Sequence, residues 1–394
     1  MNKKHWLSKD LIGFSLTSFF NDFSHEMITS ILPLFITQIF GAANAPQLLG
    51  ILTGTTNMLQ TLGNISAGWL GRNIPHQKTL LILCYGITSF FSCLIGSTHH
   101  LFIMIFYRSI AWITRGVREP IRDAWLMRII QKKDYGKAFG LQRAMDTFGA
   151  ILGPLCAYYA LSLLPLTTIF ALALIPGILS VVTLMLLVTQ ITYERSNEKK
   201  QFLYSLSEFP VQFRRYILIR CIFGLAFFDP ILLMLKTQEN VFTTAILLYS
   251  FFNCIRLISE FGTGFLSDYY ASNKKKLLAY AGFGSFGLAN SMFIFSSSLS
   301  SLLISLILVG LSVASLTVLE KAYTAETIPQ EMSSDGYGYL AALQSIGFLL
   351  SNIIVGSLWT YTSSTIGFIY AAFISFTCMF LLIKLPSNIK SNPY

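Results

Sequence analysis

The chain has 394 residues, 54% of them hydrophobic and 12% charged, with a formal net charge of +10. An ordinary soluble domain carries about 25% charged residues, so a soluble globular protein is excluded. The positive charge does not indicate nucleic acid, because Lys and Arg gather in alternate connections between apolar runs, as they do on one side of a membrane.

Runs of about 20 apolar residues are long enough to cross a hydrocarbon core as helices. They predict an all-α membrane protein with twelve spans, near 11–38, 46–67, 79–97, 100–118, 138–160, 166–188, 216–236, 242–265, 277–297, 300–321, 336–358 and 364–384. The basic start Met1–Lys9 leads into a first span too long, and too polar at Asn21, Asp22 and Glu26, for a cleaved signal peptide, so that span is expected to remain as a helix. Asp22 and Glu26 lie one turn apart on one face near mid-depth. Two carboxylates in low dielectric do not readily hold two charges, which suits proton coupling. The structural alternative is a hydrogen-bond network of Asn21 and Asp22.

Asn57 and Gln60 share a face of span 2. They would line a cavity or hydrogen-bond between helices. A turn is expected to open at Gly68-Trp69-Leu70 and close on Lys78, with Arg72 within it. His99-His100 lacks a third ligand and carries no metal reading. In span 4, Arg108 lies about 13 Å along the helix at 1.5 Å per residue. An arginine there must face protein or water, which makes it a substrate-cavity candidate. Arg115, Arg118 and Arg122 are expected at the membrane surface as basic anchors. Span 5 carries Gly149, Gly153 and Pro154, with Arg143 and Asp146 spaced i, i+3.

The polar connection 189–215 predicts a linker between an N-terminal half, 1–188, and a C-terminal half, 216–394. In span 7, Phe227-Phe228-Asp229 echoes Phe19-Phe20-Asn21-Asp22, so Asp229 is a third proton-coupling candidate; it would equally cap a helix broken at Pro230. Arg256 and Glu260 in span 8 are spaced i, i+4. A second turn is expected from Gly264-Phe265-Leu266-Ser267-Asp268 to Lys274-Lys275-Lys276, 196 positions after the first. Glu320 near the end of span 10 is a further cavity candidate. The six Cys fall inside apolar spans without disulfide or metal spacing, as packing residues.

Connections 39–45, 161–165, 298–299 and 359–363 contain no Lys or Arg, while the alternate set is basic, which places both termini in the cytoplasm. Glu326, Glu331 and Asp335 make one inner connection acidic, but acidic residues count for little in orientation. An internal repeat of half the chain, placed between apolar spans, is how many secondary carriers are built.

These features resemble the major facilitator superfamily over nearly the whole length. The second turn keeps Gly264, Leu266, Ser267, Asp268 and Lys274 of that family's G-x-L-S-D-R-x-G-R-R-K loop, and the first departs from it with Gly71 and Arg72 in place of Ser and Asp. The resemblance implies two six-helix bundles and a gate braced through Asp268, with Gly68, Arg72, Lys78 and Gly264 as its other members. It also implies that spans 5 and 8 meet, so that Arg143 exchanges partners with Glu260, and Asp146 with Arg256, on closure. Span 4 and its neighbours resemble a bacterial branch without a settled substrate. Gly140, Gly149 and Gly153-Pro154 match the family's antiporter pattern G-x8-G-x3-G-P, except that Ala157 replaces its final Gly.

No P-loop, HExxH or GxSxG occurs, so nucleotide-driven transport and hydrolase chemistry are without support. The expected function is non-enzymatic: transport of a small organic solute across a bacterial inner membrane by alternating access, as proton-coupled efflux. Proton-coupled import of an anionic metabolite or siderophore is the rival. A non-transporting sensor or assembly partner of the same fold is the other class, favoured by the degraded first turn. The expected partners are a solute, protons and lipid, with no cofactor, no metal and a monomeric state.

Overall fold

A computed structural model describes residues 7–73, 76–130, 135–189, 205–238, 244–269, 274–295, 299–328 and 333–386. Among the described residues every regular element is helical. In chain order they are α1 (Lys9–Phe40), α2 (Ala45–Asn73), α3 (Gln77–Leu94), α4 (Leu101–Ile129), α5 (Tyr135–Leu161), α6 (Leu166–Leu172) and α7 (Leu174–Leu187). They continue with α8 (Val211–Gly224), α9 (Pro230–Gln238), α10 (Thr244–Tyr269), α11 (Lys274–Leu277), α12 (Ser285–Phe295), α13 (Leu299–Thr327), α14 (Ser333–Tyr361) and α15 (Ser364–Lys384). The helices fall on the expected spans, with spans 6, 7 and 9 each made of two pieces.

Local chemistry explains the ends and breaks. The Ser8 hydroxyl caps α1 by accepting from the Leu11 N–H at 3.2 Å. At the other end Gly41 takes φ +84°, a conformation open to glycine, and its N–H closes on Thr37 O at 3.0 Å. The seventh span breaks after Gly224: Pro230 starts α9, and Asp229 Oδ1 caps it by accepting from the Ile231 N–H at 3.0 Å. Between α11 and α12 a π-helical turn, Leu278–Gly284, displaces backbone partners, and Ser312 Oγ donates to Gly282 O at 2.7 Å.

Three expected boundaries are corrected. Gly68 and Arg72 do not open a turn but lie in the last turns of α2, which continues to Asn73. Gly264 and Asp268 lie in α10, which continues to Tyr269. Neither 68–73 nor 264–269 contains a proline, so nothing in either stretch stops the helix from continuing another turn. Span 4 is longer than its apolar run, because α4 extends from 118 to Ile129, where Arg118 and Arg122 are buried and bonded to Asn21 and Ser18. Among the described residues seven helices are long and apolar enough to cross a membrane: Gln77–Ser97, Leu166–Leu187, Ala245–Thr263, Lys274–Phe295, Ser300–Glu320, Gly336–Tyr361 and Ser364–Lys384. In α1 and α4 buried charge takes the place of that apolar character.

The chain divides into two compact units, residues 1–198 with 233–253, and residues 199–232 with 254–394. In the first, α1 packs on α5 and α7, and α4 on α2 and α3. Leu11, Phe14, Tyr85, Ile121 and Trp125 form its core, with Phe14 edge-on to Trp125 at 5.7 Å. In the second, α8 packs on α14, and α12 on α13 and α15, around a phenylalanine stack in which Phe223 and Phe283 lie 4.2 Å apart.

Glycines allow close helix approaches. A Cβ on Gly149 would lie 2.4 Å from Phe19 O, and one on Gly153 would lie 2.7 Å from Phe23 O. These residues are the α5 face that seats α1, the small-residue contact expected where lipid offers no hydrophobic drive between helices. A Cβ on Gly262 of α10 would meet nothing within 4 Å. Gly149→Val should therefore force α1 from α5 and cost about 1–3 kcal/mol, read as a lower melting temperature in detergent. Gly262→Ala should leave the melting temperature unchanged or raise it.

Candidate functional site

In α4, Arg108, Arg115, Arg118 and Arg122 recur at helical spacing and make one stripe along the helix. The stripe runs antiparallel to a polar stripe of α1. Arg122 Nη1 donates to Ser18 Oγ at 2.9 Å, Arg118 Nη1 donates to Asn21 Oδ1 at 2.7 Å, and Arg115 Nη2 lies 3.7 Å from Asp22 Oδ1. Further along, the His25 ring lies 4.7 Å from the Trp112 ring, which also carries the Arg108 guanidinium at 4.0 Å. Arg118 and Arg108 are each 2% exposed. The expectation that Arg115, Arg118 and Arg122 are surface anchors is thus overturned for Arg118 and Arg122, which are buried, and Arg115 is largely so. Each finds a partner on α1 instead.

Acidic groups offset this charge. Arg115 Nε donates to Glu119 Oε1 at 3.0 Å, and Arg122 Nε to Asp123 Oδ1 at 3.0 Å. Asp146 is buried in α5, accepts from Gln142 Nε2 at 3.0 Å and lies 4.0 Å from Arg122. Gln142 also donates to Ser18 Oγ at 3.3 Å, so α1, α4 and α5 share one network. Glu26 accepts from the Tyr249 hydroxyl at 3.0 Å, a contact within the first unit. A buried charge is tolerated only when paired and hydrogen-bonded; the array supplies most of these bonds, while Arg118 Nε and Asp146 Oδ1 are buried without a hydrogen-bond partner.

The remaining sequence candidates are placed as follows. Asn57 Nδ2 donates to Thr53 O at 2.9 Å along its own helix, and the backbone of Gln60 packs on Gly116. Arg143 stands on an exposed part of α5. Arg256 Nε lies 3.3 Å from Glu260 Oε1, an intrahelical pair. Pro154 lies within α5, directly after Gly153. The side chains of Arg72 and Asp268, like residues 190–204, lie outside the described residues. Lys78 Nζ donates to Met185 O at 2.8 Å, at the end of α7. Its counterpart in the repeat, Lys275, donates to Leu385 O, just past the end of α15. Each lysine thus caps the last helix of its own half, where cations favour a helix C-terminus.

The second unit has its own buried pair. Arg220 Nε and Tyr216 OH both donate to Glu320 Oε1 at 2.7 Å. Beside the pair is a cavity of about 510 Å³ between α8, α13 and α14. Sequence reasoning selected Glu320 but missed Arg220, although a lone arginine in an apolar span is the same signal that singled out Arg108. It also missed Ser18, Gln142 and Tyr249, whose roles depend on which helices meet.

Paired charges buried in membrane-length helices, and a capping contact repeated in both halves, define a polytopic membrane carrier. The family model described as Major Facilitator Superfamily matches residues 14–283 and 223–393. An uncharacterised MFS-type transporter of Methanocaldococcus jannaschii is 27% identical over 387 residues, 96% of this chain and 95% of that protein. A point mutant of the nucleoside transporter NupG superposes with a TM-score of 0.81 at 11% identity, over 95% of this chain and 99% of that one. A D-xylose–proton symporter superposes with a TM-score of 0.71 at 13% identity, over 97% and 98% of the two chains. The chain belongs to the major facilitator superfamily. It is a multi-pass secondary transporter with that fold.

Removing Arg118 deletes the Asn21 bond and the contact of its guanidinium with the Tyr85 ring at 4.2 Å. Arg118→Ala should cost about 3 kcal/mol in stability, seen as a clear fall in detergent melting temperature. Arg143→Ala, at an exposed position, should lower the melting temperature less than Arg118→Ala does.

Proposed function

We propose that this transporter exports a small organic solute in exchange for protons across a bacterial inner membrane, with both termini cytoplasmic. It would work by alternating access between an N-terminal half, 1–188, and a C-terminal half, 216–394. The observation that supports proton coupling is the hydroxyl bond made by one of two carboxylates one turn apart on α1. Asp22 faces the Arg115 guanidinium at 3.7 Å. Glu26 accepts from the neutral hydroxyl of Tyr249. A proton arriving on Glu26 turns an acceptor into a donor and reverses that bond. Glu26 is therefore the carboxylate assigned to carry the proton, with Asp22 holding α4 in place. Asp229 is assigned the capping role at α9 rather than a proton.

Export is supported by the α5 pattern. Gly153 seats against α1 directly behind Glu26, where an added Cβ would lie 3.2 Å from Glu26 Cβ. The antiporter-like glycine face and the proposed coupling residue are thus in direct contact. Import of an anionic solute would draw on Arg108, buried against Trp112.

Proteoliposomes loaded with a pH-sensitive dye and offered a panel of aromatic and aliphatic solutes test this reading. Solute addition should drive proton movement opposite to the solute. Glu26→Gln should lower that proton movement at least about tenfold while solute–solute exchange continues. Equal loss of both would count against Glu26 as the coupling group, and proton movement in the same direction as the solute would establish import.

A further inference from the structure

The cavity of the second unit has a distinctive distribution of chemistry. Its volume of about 510 Å³ lies well above the roughly 150 Å³ that accommodates a benzene ring, and within the range of small-molecule sites. Phe227, Val313, Leu316 and Leu340 supply apolar walls. The polar lining is Arg220, Glu320 and Gln344, with Thr317 and Tyr337. Arg220 and Glu320 are joined through Nε and Oε1, so Nη1, Nη2 and Oε2 stand outside that bond. Gln344 lines the same cavity, and its Nε2 is buried without a hydrogen-bond partner.

The charge balance decides what such a site accepts. The Arg220 and Glu320 side chains are 6% and 7% exposed and 2.7 Å apart. An anionic ligand would compete with Glu320 for Arg220, and a cationic one would compete with Arg220 for Glu320. Either leaves one buried charge without its partner. A ligand with no net charge leaves the pair intact and uses the donors and the acceptor left over. It also satisfies Gln344, whose unmet donor is otherwise a cost to the protein.

We infer that this cavity selects an electrically neutral, dipolar amphiphile, whose head presents a donor and an acceptor side by side on an apolar body of about ring size. The head meets Glu320 Oε2, the terminal nitrogens of Arg220 and the Gln344 amide, while the body lies against Phe227 and Leu316. This inference rests on the transport reading above and names the solute class for it.

Four probes that share one ring and differ in charge test the inference by equilibrium binding to the purified full-length protein in detergent. They are phenylalanine (zwitterion), 3-phenylpropionamide (uncharged), phenethylamine (cation) and 3-phenylpropionate (anion), all at pH 7. At least one of the first two should bind about tenfold more tightly than both of the charged probes, a difference on the scale of one hydrogen bond to a buried group. Gln344→Leu should weaken that binding about tenfold, since it removes the amide and keeps the volume. Glu320→Gln should shift preference to 3-phenylpropionate, because Arg220 is then unbalanced. If Glu320→Gln does not fold, Gln344→Leu alone decides.

Equal or tighter binding of a charged probe by the unmodified protein would falsify the inference, and so would the binding of no probe or a Gln344→Leu variant that binds as before. Proton-coupled flux of other solutes in the proteoliposome assay would, in that event, leave the transport reading standing. Conversely, selective binding without any flux would sink the transport reading alone.

Discussion

The need to pair charge inside a membrane-length helix bundle governs this structure more than any other constraint. An unpaired arginine or carboxylate away from water costs several kcal/mol, yet α4 carries four arginines in one stripe. The answer is a ladder in which Ser18, Asn21 and Asp22 of α1 meet Arg122, Arg118 and Arg115 in turn. Two further arginine bonds stay on α4, to Glu119 and Asp123. Asp146 and Gln142 bring α5 into the same network. Registry between three helices is therefore set by polar contacts that each helix needs from the others.

Close packing makes that registry possible. Gly149 and Gly153 bring the backbone of α5 against that of α1. In the second unit the equivalent pair, α8 and α14, meets at Gly224 and Gly347, where a Cβ on Gly347 would lie 2.8 Å from Gly224 Cα. The same device serves both halves, while the chemistry beside it differs. The first unit holds an extended array with Glu26 bonded to a phenol. The second holds one compact pair, Arg220 and Glu320, at the edge of a cavity.

The internal repeat takes on a physical meaning in the two lysines. Lys78 and Lys275 each follow a connection of the repeat and donate to a carbonyl at the C-terminal end of their half, at Met185 and Leu385. These two lysines are thus structural fasteners, each within its own half. Their sequence neighbours Gly68, Arg72, Gly264 and Asp268 continue α2 and α10 rather than forming turns.

Much of the architecture was legible in the chain itself. Apolar runs of membrane-crossing length identify the helices, because an isolated segment in lipid must satisfy its own backbone. Pro230 marks a break, because it carries its backbone preference wherever it stands. The glycine spacing of α5 signals tight packing. Partners of the charged residues were not legible. An arginine near the end of an apolar run can snorkel to water or turn inward, and sequence does not distinguish the two. Only the docking of α1 on α4 and α5 turns Arg118 and Arg122 inward, and only the approach of α8 to α13 makes Arg220 the partner of Glu320. Local sequence determined the helices, because their bonds are local. Tertiary packing decided the site, because a buried charge is defined by the neighbour it meets.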